Sequence, residues 1–416
     1  MPLGGIDQMR PKPTSITRRF RSTLPLSPVL ACLALGLCFR APNPPNGSLG
    51  GRPDVGTEAW SLCSDSLAAF RRVVSEFQSR QQNTAISVGV RHNGHTVFRE
   101  ATGLASVESG IPADPGMAFS IASITKAFTG AALLKLVEAR RIDLDAEIQR
   151  YVPDFPRHPS GRPVTVRMLA HHLGAVRHWG PERNEMLYAR HFDDVHDILA
   201  LFRGDPWVAD LSPLTRYSYS SYGYNLLGMA IQRASGTSFQ EFVTQAVLRP
   251  LGLASVQFDR PGLGGARRPS RYSWYDLADF HDLTDAPQRV PDWDYSHNMA
   301  GGGLIANVED LLAFGRAMRE PGFLSAESLA LVWTRPTVLS VESRMSYGWF
   351  PKVNPSRISI GGSNAGVQAG LTVWQKEDLV VAVLANSWGR GSRSGEFMDD
   401  GPDGLIGRLA AVCGLR

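Results

Sequence analysis

Residues 119–126 read Phe119-Ser120-Ile121-Ala122-Ser123-Ile124-Thr125-Lys126, and an apolar run follows over 127–137. This stretch predicts an extended segment over 117–121 and a helix over 127–140, with Ser123 and Lys126 at the first helical turn. Side chains three positions apart share one face of a helix, so the Lys126 amine can reach the Ser123 hydroxyl. Of the five lysines in the chain, only Lys126 has a serine three positions before it.

A serine beside a lysine becomes a nucleophile only if the lysine amine is neutral and takes the serine proton. The ordinary pKa of lysine, near 10.4, leaves roughly one amine in a few thousand neutral at pH 7. Burial and the partial positive charge of a helix N-terminus both lower that pKa. The alternative is a chance pair on a solvated helix face, but Leu133 and Leu134 indicate a buried helix. We therefore interpret Ser123 as the nucleophile and Lys126 as its base.

The periodicity on either side of this stretch predicts strands at both ends of the chain and helices between them. Apolar residues three and four positions apart predict a first helix over 63–79. Asn93-Gly94 joins two β-rich runs, 85–90 and 96–101, as a hairpin. Two further strands, 367–374 and 379–384, precede a last helix that Asp403 caps and that runs to Cys413. The middle of the chain predicts helices over 195–202, 224–234 and 239–248.

This order of elements predicts the fold class α/β plus all-α. An antiparallel sheet built from both termini is flanked by helices, and a helical region is inserted into it. We expect a sheet domain over 57–122 and 300–416 and a mainly helical domain over 123–299. The cleft at their junction is the expected place for a small-molecule site.

The first 56 residues predict an export segment followed by a linker. Arg18, Arg19 and Arg21 precede an apolar stretch over 24–37, and Ala34-Leu35-Gly36 offers the small residues of a signal-peptidase site. Residues 1–40 are interpreted as an export signal or anchor and residues 41–56 as a linker. The expected location is periplasmic or extracellular, with membrane association through this segment only. An organelle transit peptide is the alternative.

The net charge of +4 does not indicate a nucleic-acid partner. Residues 1–40 hold six Lys or Arg against one Asp, which leaves the remaining chain at −1. Without a basic surplus in the mature chain, we expect a small-molecule or peptide substrate and no nucleic acid. His171, His172 and His178 lie close in sequence without an acidic neighbour. We interpret them as structural and expect no metal or other cofactor.

Several motifs, taken in order, resemble those of class C β-lactamases and their esterase and peptidase relatives in the serine β-lactamase and penicillin-binding-protein superfamily. They are segment 119–126, Ile142-Asp143-Leu144-Asp145, Tyr151-Val152-Pro153, Leu169-Ala170-His171, block 219–228, Pro250-Leu251-Gly252-Leu253 and Gly301-Gly302-Gly303-Leu304. The resemblance spans residues 60–415 and implies a β-lactamase/transpeptidase-like fold. It also implies that Tyr219, in the second block, shares proton transfer with Lys126 as a phenol that loses its proton more readily beside the amine.

Two positions depart from the pattern of this family. Ser221 stands where the family often has Asn, so it keeps a hydroxyl but no amide donor for a substrate carbonyl. Ile360 stands where the family usually has Lys or His, so it offers apolar surface in place of a cation. The resemblance implies an oxyanion hole made by the backbone N–H groups of Ser123 and Ser363. The substrate-contacting residues are then Ser221, Ile360, Gly361 and Gly362.

These features predict a serine hydrolase that forms an acyl-enzyme on an ester, amide or lactam carbonyl. Because Ser221 and Ile360 weaken recognition of an anionic lactam, we expect an esterase or peptidase in place of an efficient β-lactamase. The alternative is a weakly catalytic or non-catalytic binding or sensing protein on the same fold. The sequence has no Gly-x-Ser-x-Gly elbow, which excludes an α/β-hydrolase.

Two further features concern the ends of the chain and the rim of the cleft. Cys63 and Cys413 are the only cysteines beyond the leader. In the fold that the resemblance implies, the terminal helices lie together, so these thiols can form a disulfide, with two buried free thiols as the alternative.

Segment 268–297 carries five Tyr and Trp residues. It is expected to border the cleft, or else to pack as a surface loop.

Overall fold

The structure is a computed structural model of the 416-residue chain that describes residues 66–179, 190–263, 268–277, 282–352, 356–390 and 395–415. Its strands, in chain order, are β1 (Ala85–His92), β2 (His95–Ser106), β3 (Ile111–Pro112), β4 (Phe119–Ser120), β5 (Gln257–Phe258), β6 (Tyr272–Tyr275), β7 (Leu283–Arg289), β8 (Leu304–Ala306), β9 (Thr337–Val338), β10 (Val341–Glu342), β11 (Phe350–Lys352), β12 (Arg357–Asn364), β13 (Val367–Trp374), β14 (Leu379–Ala385) and β15 (Ser387–Trp388).

Helices connect and cover these strands. They are α1 (Leu67–Gln81), α2 (Thr125–Glu138), α3 (Val166–Ala170), α4 (Ser221–Ser235), α5 (Phe239–Val243), α6 (Met299–Gly302), α7 (Val308–Ala317), α8 (Ala326–Trp333), α9 (Gly395–Met398) and α10 (Leu405–Val412). Short 3₁₀ turns cover Ala122–Ile124, Ile148–Arg150, Val195–Leu201 and Ser296–Asn298, and a π turn covers Thr244–Leu248.

The main sheet has seven strands in the order β11-β12-β13-β14-β1-β2-β3, and all its pairs are antiparallel. β1 and β2 form the predicted hairpin, in which Asn93 and Gly94 both have positive φ. β1 pairs with β14, so a strand from the N-terminal part of the chain lies beside one from the C-terminal part. The prediction of an antiparallel sheet built from both termini is confirmed.

Helices cover both faces of this sheet. On one face, α1 packs against α10 and fully buries Phe70 and Phe77. On the other face, α7 packs against β1, β13 and β14, and the larger hydrophobic core extends from there into the helical middle segment. α2 lies inside this core, where Phe128 stacks on Phe314 at 3.9 Å between ring centroids. Because α2 is apolar on nearly every side, burial is its stable state, as its sequence predicts.

Several predicted helices differ from the structure in where they begin or in helix type. α4 begins at Ser221, three residues earlier than predicted, because the Ser220 side chain accepts the Gly223 N–H and caps the helix. The last helix begins after Gly404, and no side chain caps it, so the prediction of an Asp403 cap is wrong. The segment predicted as a helix over 195–202 is a 3₁₀ turn, and α5 passes into a π turn at Thr244.

Some interpretations fall outside the described residues. These are the export segment over 1–40, the linker over 41–56 and Cys63, which all stay predictions. The boundaries between a sheet domain and a helical domain also stay predictions. Cys413 is disulfide-bonded, and its pairing with Cys63 remains predicted. Among the described residues, no helix has the length and apolarity that a membrane crossing requires.

The loop at Gly348 crosses α2 with backbone against backbone. A Cβ on Gly130 would lie 2.0 Å from the Tyr347 carbonyl oxygen, and a Cβ on Gly348 would lie 2.4 Å from the carbonyl of Lys126. Gly348 also has φ +92°, a conformation that other residues rarely adopt. The crossing therefore requires glycine at both positions, and it shields the first turn of α2 from solvent.

We expect Gly130→Ala to lower the free energy of unfolding by about 1–3 kcal/mol or more, because the added methyl group meets backbone that cannot move aside. Urea unfolding of the purified variant measures this change through its midpoint. Gly204→Ala is the matched control, since a Cβ there meets no atom within 4 Å. Equal midpoints for the two variants would contradict the close crossing.

Candidate active site

Ser123 lies on a turn that joins β4 to α2. The Ile121 N–H donates to the Leu304 carbonyl at 3.0 Å, and the Leu304 N–H donates to Thr125 Oγ1 at 3.1 Å, so β8 holds both ends of the turn. Between them, Ala122 has φ 42°, a left-handed conformation that costs a non-glycine residue about 1–2 kcal/mol. Ser123 is half-buried, whereas the residues on either side of it are buried. The turn thereby presents the serine at the surface of a buried segment.

Lys126 is the second residue of α2, and its side chain is fully buried. Its Nζ lies 2.6 Å from the Gly301 carbonyl oxygen, 3.0 Å from Ser221 Oγ and 3.3 Å from Ser123 Oγ. The ring centroid of Tyr219 is 4.8 Å from the same nitrogen. Within the described ranges, Lys126 forms no ion pair. A charged ammonium at this place would be removed from bulk solvent and would have no counterion among the described residues.

Burial holds the pKa of Lys126 well below its usual value of 10.5, because removal from water disfavours the ammonium form. The predicted lowering of this pKa is confirmed in direction. A neutral amine has two N–H donors and one lone pair. Since the Gly301 carbonyl can only accept, it takes one N–H, and the second can serve Ser221 Oγ. The lone pair is then available to the Ser123 hydroxyl.

The Tyr219 OH donates to Ser123 Oγ at 2.8 Å, and its ring lies beside the Lys126 amine. Burial raises the pKa of Tyr219 to about 12, so the phenol stays protonated at neutral pH. The expectation that this phenol loses its proton more readily beside Lys126 is therefore wrong. The amine beside it is neutral, so no positive charge is there to stabilise a phenolate. The structure brings Ser123, Lys126 and Tyr219 together as predicted, but with the phenol as a donor.

Ser221 begins α4 and is 1% exposed. Its Oγ contacts Lys126 Nζ at 3.0 Å, and its side chain also interacts with the Tyr219 phenol. We predicted that Ser221 contacts the substrate, but its hydroxyl is directed at the amine and the phenol. It therefore contacts both the Lys126 amine and the Tyr219 phenol.

Two of the three neighbouring histidines, His172 and His178, accept hydrogen bonds from backbone N–H groups around the site. His172 Nδ1 accepts the Ser220 N–H at 3.0 Å, and His178 Nδ1 accepts the Ser221 N–H at 3.1 Å. Burial lowers the pKa of His178 to about 3 and that of His172 well below its usual value, so both are neutral. Residues 66–179 and the later described ranges contain no cluster of metal-binding side chains. These contacts fit the structural role that the sequence indicated.

A loop at α6 supplies a contact that the sequence interpretation missed. Gly301 belongs to a motif of the family resemblance for which no contact with Lys126 was predicted, yet its carbonyl oxygen lies 2.6 Å from Lys126 Nζ. Thr129 Oγ1 donates to the Ala300 carbonyl at 2.7 Å, which ties the loop to α2. A Cβ on Gly301 would lie 2.3 Å from Asn298 Oδ1 and 3.3 Å from Lys126 Nζ. The run of three glycines was the available signal for so close an approach.

β12 packs against the turn that carries the nucleophile. A Cβ on Gly362 would lie 2.2 Å from the Ile121 carbonyl oxygen and 3.0 Å from the Ser123 backbone nitrogen. Only glycine permits this approach. The structure therefore places Gly362 beside Ser123, as predicted for a strand that borders the substrate carbonyl.

The other residues predicted on β12 are placed differently. Ile360 is 2% exposed and belongs to the large core, so it leaves almost no surface for a substrate. Gly361 faces away, because a Cβ there would lie within 2.4 Å of Met398 Sδ. Ser363 Oγ accepts the Trp388 indole N–H at 3.0 Å, and β15 pairs with β6 of the aromatic segment 268–297. The oxyanion role of the Ser363 N–H stays a prediction.

The sheet built from both termini, with a serine and a buried lysine at the start of its central helix, defines a protein of the β-lactamase/transpeptidase-like fold. The chain belongs to the beta-lactamase family, because the family model described as Beta-lactamase matches residues 70–398. Members of this family are serine hydrolases.

Similar proteins with different descriptions match the chain. Human "Serine beta-lactamase-like protein LACTB, mitochondrial" is 29% identical over 366 residues, which cover 68% of this chain and 64% of that protein. The chain thus spans slightly less than two thirds of that relative. Esterase EstB of Burkholderia gladioli is 30% identical over 306 residues, covering 65% of this chain and 75% of the esterase.

Solved structures show the same fold at low identity. The D-amino acid amidase from Ochrobactrum anthropi SV3 has a TM-score of 0.69 at 20% identity and covers 84% of this chain and 99% of that one. EstCE1, a hydrolase with promiscuous acyltransferase activity, has a TM-score of 0.68 at 16% identity and covers 85% of this chain and 100% of that one.

We expect Gly362→Ala to slow the reaction of Ser123 by about 100-fold or more, because its methyl group displaces the backbone of the nucleophile turn. The measurement is the rate of labelling by a fluorophosphonate probe. Gly361→Ala is the matched control, because its methyl group meets the movable end of Met398 on the other face. Equal labelling rates in the two variants would show that β12 does not set the position of Ser123.

Proposed function

We propose that this protein is a serine hydrolase that forms an acyl-enzyme at Ser123 on ester or amide carbonyl compounds, as an esterase or peptidase and not as an efficient β-lactamase. The observation that carries this proposal is the environment of the Lys126 amine. The amine is fully buried, forms no ion pair within the described residues and lies 3.3 Å from Ser123 Oγ. Membership of the beta-lactamase family and the similarity to esterase EstB support it.

In the proposed acylation, Ser123 Oγ attacks the substrate carbonyl carbon while its proton moves to the Lys126 lone pair. The ammonium that forms has three N–H groups. The Gly301 carbonyl and Ser221 Oγ accept two of them without any movement of the backbone, since both already contact Nζ. The negative charge on the former carbonyl oxygen is assigned to the N–H groups of Ser123 and Ser363.

Departure of the leaving group needs a proton, and Tyr219 is placed to supply it. Its OH is 2.8 Å from Ser123 Oγ and keeps its proton because its pKa is about 12. The phenolate that remains recovers a proton from the Lys126 ammonium through the Ser221 hydroxyl, which interacts with both. Water then attacks the acyl-enzyme by the same steps in reverse, which releases the acid and restores the Ser123 hydroxyl.

We further propose, on the sequence of residues 1–40 alone, that the protein is exported to the periplasm or the extracellular space. The substrate is then a small molecule or peptide outside the cytoplasm. Any membrane association is assigned to this segment only, and no nucleic-acid partner is proposed.

Removal of either reacting group tests the chemistry directly. We expect Ser123→Ala to abolish fluorophosphonate labelling and ester hydrolysis, and Lys126→Ala to reduce both by about 100- to 10,000-fold, the usual loss for a general base. Lys135→Ala is the matched control on the same helix, because Lys135 is partly exposed and pairs with Glu138. Full activity of Ser123→Ala would refute the proposal, and an unlabelled wild type would favour a binding or sensing protein.

The substrate class is tested by comparing kcat/KM for a neutral nitrophenyl ester, a D-amino-acid amide and a chromogenic cephalosporin. We expect the neutral ester to be turned over at least about tenfold faster than the cephalosporin. A cation paired with the substrate carboxylate would be worth roughly 1.5–3 kcal/mol, and the third motif supplies none at Ile360, which is apolar and buried. Efficient cephalosporin hydrolysis would show that another residue holds the anion.

A further inference from the structure

The N-terminus of α4 has an unusual pair of hydrogen-bond acceptors. The first N–H groups of a helix have no partner inside it, and Ser, Thr, Asp or Asn side chains commonly accept from them. Here, Ser220 Oγ accepts from Gly223, but the N–H groups of Ser220 and Ser221 are taken by two imidazoles. We call His172 and His178 the histidine pair.

The hydrogen bonds fix the chemical form of the histidine pair. An Nδ1 atom that accepts an N–H carries no hydrogen, so a neutral ring must carry it on Nε2. The His172 Nε2 lies 3.0 Å from Met345 Sδ, a weak acceptor that agrees with this form. A doubly protonated ring could not accept from the helix. The contact with α4 therefore exists only while the imidazoles are uncharged.

The same rings enclose Tyr219. The ring centroid of His172 lies 4.5 Å from that of Tyr219, and the centroid of His178 lies 5.5 Å away in an edge-on arrangement. The segment 219–221 is thus held by two backbone hydrogen bonds and two ring contacts. These contacts fix both the phenol that donates to Ser123 and the hydroxyl that contacts Lys126.

Among the described residues, the titratable groups that face Lys126 are Tyr219 and Tyr224, whose ring centroids lie 4.8 Å and 5.5 Å from Nζ, together with the histidine pair. Those that face the His178 ring are Lys126, Tyr219 and His172, and the charged Arg177 guanidinium contacts the His178 carbonyl oxygen. None of these described groups is a carboxylate. An Asp side chain in either acceptor place would satisfy the helix equally well, but its charge would favour the ammonium form of Lys126.

We propose that His178, with His172, is a positioning residue that holds Tyr219 and Ser221 against Ser123 and Lys126 with uncharged acceptors, so that neither acceptor brings a carboxylate to the lysine base. This inference rests on the proposed function and deepens it. It assigns the histidine pair a part in keeping Lys126 neutral as well as in holding the backbone.

Two nearly isosteric variants distinguish the role of His178 in holding the backbone from its role in keeping Lys126 neutral. The Oδ1 atom of His178→Asn can accept the Ser221 N–H without charge, and His178→Asp places a carboxylate at the same point. We expect the fluorophosphonate labelling rate of the Asn variant to fall on the acid side at the same pH as in the wild type. In the Asp variant this fall should move to higher pH by about one to three units, the usual effect of a close opposite charge.

The two variants should rank in the opposite order in thermal stability and in reactivity, which excludes a purely structural explanation. A carboxylate at a helix N-terminus is favourable, so the Asp variant should unfold at the same or a higher temperature than the Asn variant while it is less reactive at neutral pH. His178→Ala, which has no acceptor, should lower kcat by about 10- to 100-fold with little change in KM and without moving the acid limb. Recovery of kcat in the Asn variant identifies the acceptor as the cause.

His178→Gln and His178→Glu form a second pair that is used if His178→Asp does not fold. Identical acid limbs within the pair that folds overturn this inference and leave the proposed function intact. Failure of the wild type to react with the probe overturns the proposed function and this inference together. A displaced acid limb in the charged member alone supports the inference.

Discussion

The buried amine of Lys126 is the constraint on which the rest of the site depends. An ammonium enclosed by protein without a counterion is several kcal/mol less stable than the neutral amine, so burial itself prepares the base. A neutral amine still needs hydrogen-bond partners in a dry place. The Gly301 carbonyl and the Ser221 hydroxyl provide them without adding charge. Anionic partners would have raised the pKa of the lysine and kept it protonated, so that it could not accept the serine proton.

Close backbone approaches around Lys126 and Ser123 complete an enclosure that the Tyr219 and Tyr224 rings also help to form. The loop at Gly348 crosses the first turn of α2, the Gly301 carbonyl points at Nζ, and Gly362 brings β12 against the nucleophile turn. At each place a Cβ would fall within 3.0 Å of another atom. Side chains alter rotamers with a small cost, whereas packed backbone segments move together. Closure by backbone therefore keeps water from Lys126 more reliably than closure by flexible side chains would.

The serine and lysine at one helix turn and the hairpin at Asn93-Gly94 were predictable from spacing and turn residues. The sheet from both termini was predictable from the order of strands and helices along the chain. The individual contacts between distant segments at the site were not: Gly301 lies 175 residues from Lys126, and His172 lies 48 residues from Ser220. The state of Tyr219 was predicted wrongly because its pKa depends on burial and on the charge of Lys126, which a motif does not report. The burial of Ile360 was not predicted either, because a motif does not report which side chains are buried.

Exposure differs between the two sides of Ser123, and this difference explains how one serine can be both activated and accessible. Lys126 and Ser221 behind it are 0% and 1% exposed, whereas Ser123 itself is half-buried. Proton transfer requires the dry side, because water would restore the charge of the lysine. Attack on a substrate requires the partly exposed side of Ser123. The left-handed turn at Ala122 lies at the boundary between them. The strained backbone of Ala122 allows the Ser123 hydroxyl to contact both the buried side and the exposed side.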